Sequence, residues 1–222
     1  MNGVAGDAEI AIIYEEDKHM DNYVITINRQ FGSLGRPIAR KMSELLGIEY
    51  YDRDIVDAVA KDMNMPVSAV SDNEETARTS YFSMKFPLGN GTTAVQQDIF
   101  ESQRRIIANL ADKENCIIVG RCSDYILRNH PNIMRIFIYA PTEIRYKNCV
   151  ENLNMKPETA KKMIAEVDKA RDAYHMHFAK YLPSDVNHND IMINSSFLGI
   201  DGTAAYLVDL VKQRLSISRS IS

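Results

Sequence analysis

Cysteine is scarce in this chain, and its spacing excludes two kinds of protein. The three cysteines of the 222 residues, Cys116, Cys122 and Cys149, form no C-x-x-C pair, and an odd number gives no complete disulfide framework. Cys116 and Cys149 fall in apolar stretches and read as reduced core residues. An excess of positive charge is also missing. The 26 Lys and Arg against 30 Asp and Glu leave a formal charge of −4, which argues against a general nucleic-acid binder. No apolar run approaches the roughly 18 residues of a membrane span, so no membrane partner is expected. Residues 1–22 hold one short apolar stretch, Ile10 to Tyr14, flanked by Asp7, Glu9, Glu15, Glu16 and Asp17, and do not resemble a secretory signal. A cytoplasmic location is the default expectation. Internal repeats and low-complexity blocks are lacking, and the sequence carries no signal of oligomeric state.

What is present is organised around Tyr23 to Leu46. Tyr23 to Ile27 are rich in β-branched side chains, Gly32 and Gly35 mark a turn, and Ile38, Ala39, Met42, Leu45 and Leu46 recur at helical spacing. A strand, a glycine loop and a helix in this order aim backbone N–H groups and the positive end of a helix dipole at one point, which suits a phosphate. Against the phosphate-loop pattern G-x-x-x-x-G-K-[ST], with Gly35 as the second glycine, the first glycine is Gln30, the lysine is Arg36 and the hydroxyl is Pro37. Arg36 still offers a cation whose fork fits phosphate oxygens. Pro37 fits the first turn of a helix but cannot ligate magnesium. The pattern alone reads either as a phosphate site or as a structural corner. Likewise Arg29 and Arg36 read either as solvated charges flanking a helix or, placed around two glycines after a buried strand, as phosphate ligands.

Further along, candidate strands near residues 48–51, 116–119, 133–139 and 190–194 alternate with helical patterns and join the first at 23–28. The expectation is an α/β, three-layer fold with a five-stranded parallel sheet covered by helices on both sides. With 45% hydrophobic composition, residues 22–222 suffice for a single domain, preceded by a poorly ordered extension over residues 1–21. Two long interruptions, 53–112 and 155–188, are expected over the carboxyl edge of the sheet as mobile excursions. A core with two flaps over its ligand edge suits a kinase, because phosphoryl transfer needs water excluded. Gly47 reads as a helix C-cap, Thr142 as an N-cap, and Asp52 either as a ligand-edge carboxylate or as the cap of the next helix.

Four stretches together resemble the cytidylate kinase-like family, a divergent branch of P-loop nucleoside monophosphate kinases: Ile27 to Arg36, Tyr50 to Asp54, Ile118 to Arg121 and Asp190 to Ser196. The resemblance covers about residues 22–215. It implies a P-loop kinase fold, ATP with magnesium as cofactors and a small-molecule nucleotide substrate, CMP or dCMP foremost. Gln30, Phe31, Gly32, Ser33, Leu34, Gly35, Arg36 and Pro37 would then form the donor-phosphate loop, with Arg36 in place of the usual lysine and Ser33 adding a hydroxyl. Arg121 matches the arginine of the family's Gly-Arg-Asp motif, used on the acceptor phosphate, while Cys122 replaces the aspartate and Asp124, two residues on, is a candidate substitute for it. Asp52 takes the place of a strand-end aspartate that orients the acceptor or a magnesium-bound water. Arg171 resembles a lid arginine, and the 155–188 region a lid that closes on the phosphates. No strong protein ligand for magnesium is visible in the sequence, which leaves the magnesium ligands open.

Other readings remain open at this level. Gln30, Pro37 and Cys122 suit a nucleotide-binding regulatory protein without turnover; a kinase of a non-nucleotide metabolite is a third option, which the 66–93 stretch, read as much of the acceptor wall, would decide. Arg171 reads equally as a surface ion-pair partner. Arg104 and Arg105, with Arg78 and Lys85, read as acceptor contacts or as exposed charges. His175 and His177 on one helix point about 200° apart, which argues against a shared metal.

Overall fold

The computed structural model describes residues 22–52, 54–62, 64 and 93–221. The expected N-terminal extension, the 66–92 part of the acceptor excursion, and with it Arg78 and Lys85, lie outside the described residues. Among the described residues five strands form one parallel sheet: β1 (Val24–Arg29), β2 (Glu49–Tyr51), β3 (Cys116–Val119), β4 (Ile133–Tyr139) and β5 (Ile191–Asn194). Their order is β2-β3-β1-β4-β5, with Val24 level with Cys116 on one side and with Ile133 on the other. Strand order reverses about β1, and in open parallel sheets ligands bind at such a switch point, outside the carboxyl ends of the strands.

Both faces of the sheet are covered, which is why β1 and β3 read as unbroken apolar runs. Ile25 and Ile27 point to one side, where they pack with Ile38 and Met42 of α1 (Gly35–Leu46) and Leu207 and Val211 of α7 (Gly199–Ile221). Val24 faces the other way, toward Ile55 and Val59 of α2 (Asp54–Asp62) and Ile99 and Ile107 of α3 (Thr93–Lys113). This is the three-layer α/β fold that the alternation predicted. A third apolar cluster lies apart from the sheet. There α5 (Thr142–Glu151) and α6 (Pro157–Phe178) close over Phe31 through Cys149, Met163, Ile164 and Val167.

Some local details go beyond or against the sequence reading. A single helical turn, α4 (Ser123–Ile126), follows β3, too short to leave a periodic signature. The last helix runs from Gly199 to Ile221. Thr142 is the first residue of α5 rather than its cap. Pro141 holds the cap position without a side-chain acceptor. Gly47 does end α1, at φ 66, with its N–H bonded to the Ser43 carbonyl.

Candidate active site

The loop from Gln30 to Leu34 is fastened from outside. The Gln30 side-chain oxygen accepts the Ala140 N–H at 3.3 Å, the Asn148 amide donates to the Gly32 carbonyl at 2.9 Å, and the Ser195 hydroxyl donates to the Ser33 carbonyl at 2.7 Å. Phe31 is gripped at both backbone groups. Its N–H donates to Asp168 Oδ1 at 2.7 Å and its carbonyl accepts Arg145 Nη1 at 3.2 Å. Arg145 also pairs with Asp168, which ties α5, α6 and the loop together. Gly32 lies at φ 78, and a Cβ there would meet the Arg145 carbonyl at 2.7 Å and Cys149 Sγ at 2.9 Å. Only glycine passes so close to α5.

The loop delivers the chain into α1 with that helix end open. Leu34, at φ 61, occupies the N-cap position and offers no side-chain acceptor. The amides of Gly32, Leu34 and Gly35 have no hydrogen-bond partner among the described residues, and the first turn holds no acidic residue. An uncapped N-terminus of a 12-residue helix, preceded by open amides, attracts an anion. It faces an open cleft of about 600 Å³ lined by Arg29, Arg36, Arg40, Asp52 and Arg171 among others.

The cleft's charges converge on one carboxylate. Asp52, at the end of β2 and 3% exposed, receives Arg36 Nε on Oδ2, with the Tyr50 hydroxyl at 3.4 Å from the same oxygen. Arg29 Nη2 stands 3.7 Å from Oδ1. Burial alone would raise the Asp52 carboxyl, but Arg29, Arg36 and Arg121 outweigh it and hold it below the usual carboxylate range. Burial, opposed by Asp52, brings the Arg29 guanidinium down to about 10, so it is still a cation at neutral pH. Arg171 Nη1 donates to the Arg29 carbonyl at 2.8 Å, and burial pushes its guanidinium well below its ordinary value.

The guanidinium of Arg29 lies against Gly120, where a Cβ would collide with Nη1. Gly120, Arg121 and Cys122 follow one another at φ 72, 60 and 53. Two non-glycine residues in the left-handed region cost roughly 1–2 kcal/mol each, the kind of strain that collects at functional sites.

A model of the cytidylate kinase-like family matches residues 24–197. The chain belongs to the cytidylate kinase-like family. An uncharacterized protein from Eubacterium ventriosum ATCC 27560 is 26% identical in sequence, with 88% of this chain and 99% of that one covered at a TM-score of 0.63. A shikimate kinase from Bacteroides thetaiotaomicron is 10% identical, with 86% and 98% covered at a TM-score of 0.51, a likeness of fold. No curated protein matches in sequence. Family membership supports a phosphotransferase. Among the described residues no helix is long and apolar enough to cross a membrane.

Within this cytidylate kinase-like site, Gln30 to Gly32, Leu34 to Pro37, Asp52 and Arg171 are brought together around the cleft. Arg121 is not among the residues that line the cleft, but its charge acts on Asp52 and Arg29. Two expected contributions are redirected. The Ser33 hydroxyl is buried and donates to the Gln30 and Ile138 carbonyls at 2.9 and 3.1 Å, so it holds the loop rather than facing the cleft. Asp124 is likewise withdrawn. It is 3% exposed and bonded to His175 Nε2 at 2.9 Å and to the Tyr181 hydroxyl at 2.9 Å. Arg104 and Arg105 form exposed ion pairs with Glu101 and Asp62 on the outer side of α3. Asp168 and Arg145 escaped sequence reasoning, because on a Lys- and Glu-rich helix pair nothing separates them from surface charges.

Proposed function

We propose that this protein transfers the γ-phosphoryl group of ATP to a nucleoside monophosphate, CMP or dCMP, giving ADP and the nucleoside diphosphate. The observation that carries the reading is the open N-terminus of α1 beside one buried carboxylate that faces Arg29 and Arg36 and feels the charge of Arg121. Phosphoryl transfer asks for positioning and for positive charge around the transferred group, with little covalent work by protein. The amides of Gly32, Leu34 and Gly35 hold the donor phosphates, Arg36 and Arg171 neutralise the charge that spreads over the transferred group, and Arg121 holds the acceptor phosphate. An acceptor phosphate oxygen is already an anion at neutral pH, so Asp52 orients the acceptor and removes no proton.

Magnesium would suit this chemistry by supplying positive charge to the donor phosphates. Among the described residues no group of three His, Cys, Asp or Glu is arranged to hold a metal, and Asp52 is engaged by arginines, so the ion arrives with the nucleotide. Calorimetry with Mg-ADP tests the donor half. Gly35→Val places a Cβ 2.8 Å from Arg29 Cβ, and combined with Arg36→Ala it abolishes binding. Unchanged binding by the double variant overturns the loop assignment.

The engagement of Asp124 by His175 and Tyr181 favours a second reading. With Cys122 in the aspartate position, neither residue presents a carboxylate to a cytosine amino group. A small anionic metabolite phosphorylated on a hydroxyl fits the same cleft, and there Asp52 takes up the hydroxyl proton.

A further inference from the structure

Arg29 and Arg36 both face Asp52, but they differ in freedom. The Arg36 side chain is 39% exposed, whereas that of Arg29 is 8% exposed and wedged between two glycines. A Cβ at Gly35 would meet Arg29 Cβ and Cγ at 2.8 and 2.9 Å, and one at Gly120 would strike its guanidinium. Both loops of the site are thus cut back to seat this one side chain. The seat is only half used, since Arg29 Nε and Asp52 Oδ1 are buried without a hydrogen-bond partner among the described residues. Arg36 meanwhile occupies the other carboxylate oxygen. A buried donor and a buried acceptor on neighbouring charged groups, each left open, describe an interaction waiting to be made.

We propose that Arg29 is a positioning residue, the standing counter-ion of Asp52: when donor phosphates draw the more exposed Arg36 away, Arg29 closes on the carboxylate and keeps it charged and aimed at the acceptor. This rests on the phosphotransferase reading above for the event that releases Arg36, but not for the pairing itself. Each element packed around Asp52 contributes to its charge state. Arg29 comes from β1, Arg36 from α1, Tyr50 from β2, Arg121 from the turn after β3 and Arg171 from α6. Asp54, at the start of α2, lines the same cleft. Of these, Arg29 alone pairs with the open oxygen of the carboxylate among the described residues.

The test follows Asp52 itself, by carbon-13 NMR titration of the aspartate carboxyls with its signal assigned by loss in Asp52→Asn. In nucleotide-free protein, Arg29→Gln and Arg36→Gln each leave the Asp52 midpoint nearly in place, because the other arginine remains. The double variant raises it by about one pH unit or more beyond the sum of the two. Arg29→Lys in the Arg36→Gln background restores it. With Mg-ADP bound, Arg29→Gln alone produces the rise. Additive effects in the free protein overturn the proposal, as does an Asp52 midpoint that Arg29→Gln leaves unmoved in the loaded protein. If the double variant does not fold, the Mg-ADP arm on Arg29→Gln decides. If wild-type protein binds no Mg-ADP, the function proposed above fails, and the nucleotide-free cycle still decides the role of Arg29.

Discussion

Gly120 and Gly47 form a matched pair for testing how tightly the site is packed. Both lie in the left-handed region, at φ 72 and 66, but a Cβ at Gly47 meets nothing within 4 Å whereas one at Gly120 strikes the Arg29 guanidinium. Alanine at either position takes on the left-handed penalty of roughly 1–2 kcal/mol. Gly47→Ala stops there. Gly120→Ala also pushes Arg29 off its seat and leaves buried charge poorly satisfied, a further loss of about 1–3 kcal/mol. With a urea m-value on the order of 2 kcal/mol/M, the Gly120→Ala midpoint falls below that of Gly47→Ala by roughly 0.5–1.5 M. ADP release drops in Gly120→Ala alone. Equal midpoints for the two variants would refute the claim that Gly120 is glycine because Arg29 fills the space of its Cβ.

Other expectations follow from the same geometry. Arg171→Ala removes a cation from the cleft and its bond to the Arg29 carbonyl, and kcat falls on the order of 10³-fold in steady-state assays. Asp168→Ala strips the Phe31 N–H and Arg145 of their shared partner and lowers stability by about 2–3 kcal/mol in urea unfolding. The pair of His175 and Asp124 sets a pH window. Burial lowers the His175 imidazolium, but the bond and charge of Asp124 outweigh it and raise it above 6.5, so its contribution is full below that value and is lost as pH rises through the folded midpoint. Burial raises the Asp124 carboxyl, but His175, Asn28 and Tyr181 pull it below 3.8, so its contribution is full above that value and is lost as pH falls through the folded midpoint. Thermal melts of wild-type protein therefore weaken on the alkaline side of 6.5, and His175→Gln flattens that slope.

The sheet was legible because strands buried on both faces are written as apolar runs, as in Cys116 to Val119, and because Gly32 and Gly35 punctuate the chain after β1. Arg36 and Asp52 were legible as members of motifs. Their pairing was not, since the register that brings the end of β2 to the start of α1 is set by β3 lying between β1 and β2. Asp124 was legible only as a candidate substitute for the aspartate missing at Cys122, because His175 and Tyr181, which engage it, lie 51 and 57 residues away. Phe31 read as a loop residue, whereas its side chain is buried in the α5–α6 cluster, which makes the expected lid partly an extension of the loop. Arg29 was legible as a phosphate ligand or a solvated charge. Its burial between Gly35 and Gly120 comes from two turns far apart in the chain.

The most direct test of the phosphotransferase account is ADP release by the purified full chain with Mg-ATP, against a panel of CMP, dCMP, UMP, AMP, GMP and shikimate, with Arg121→Ala as the comparison. The account predicts that CMP or dCMP stimulates turnover in wild-type protein and that the stimulation disappears in Arg121→Ala. Stimulation by shikimate alone moves the assignment to a hydroxyl-bearing metabolite. Bound ATP with no ADP release for any acceptor would contradict it.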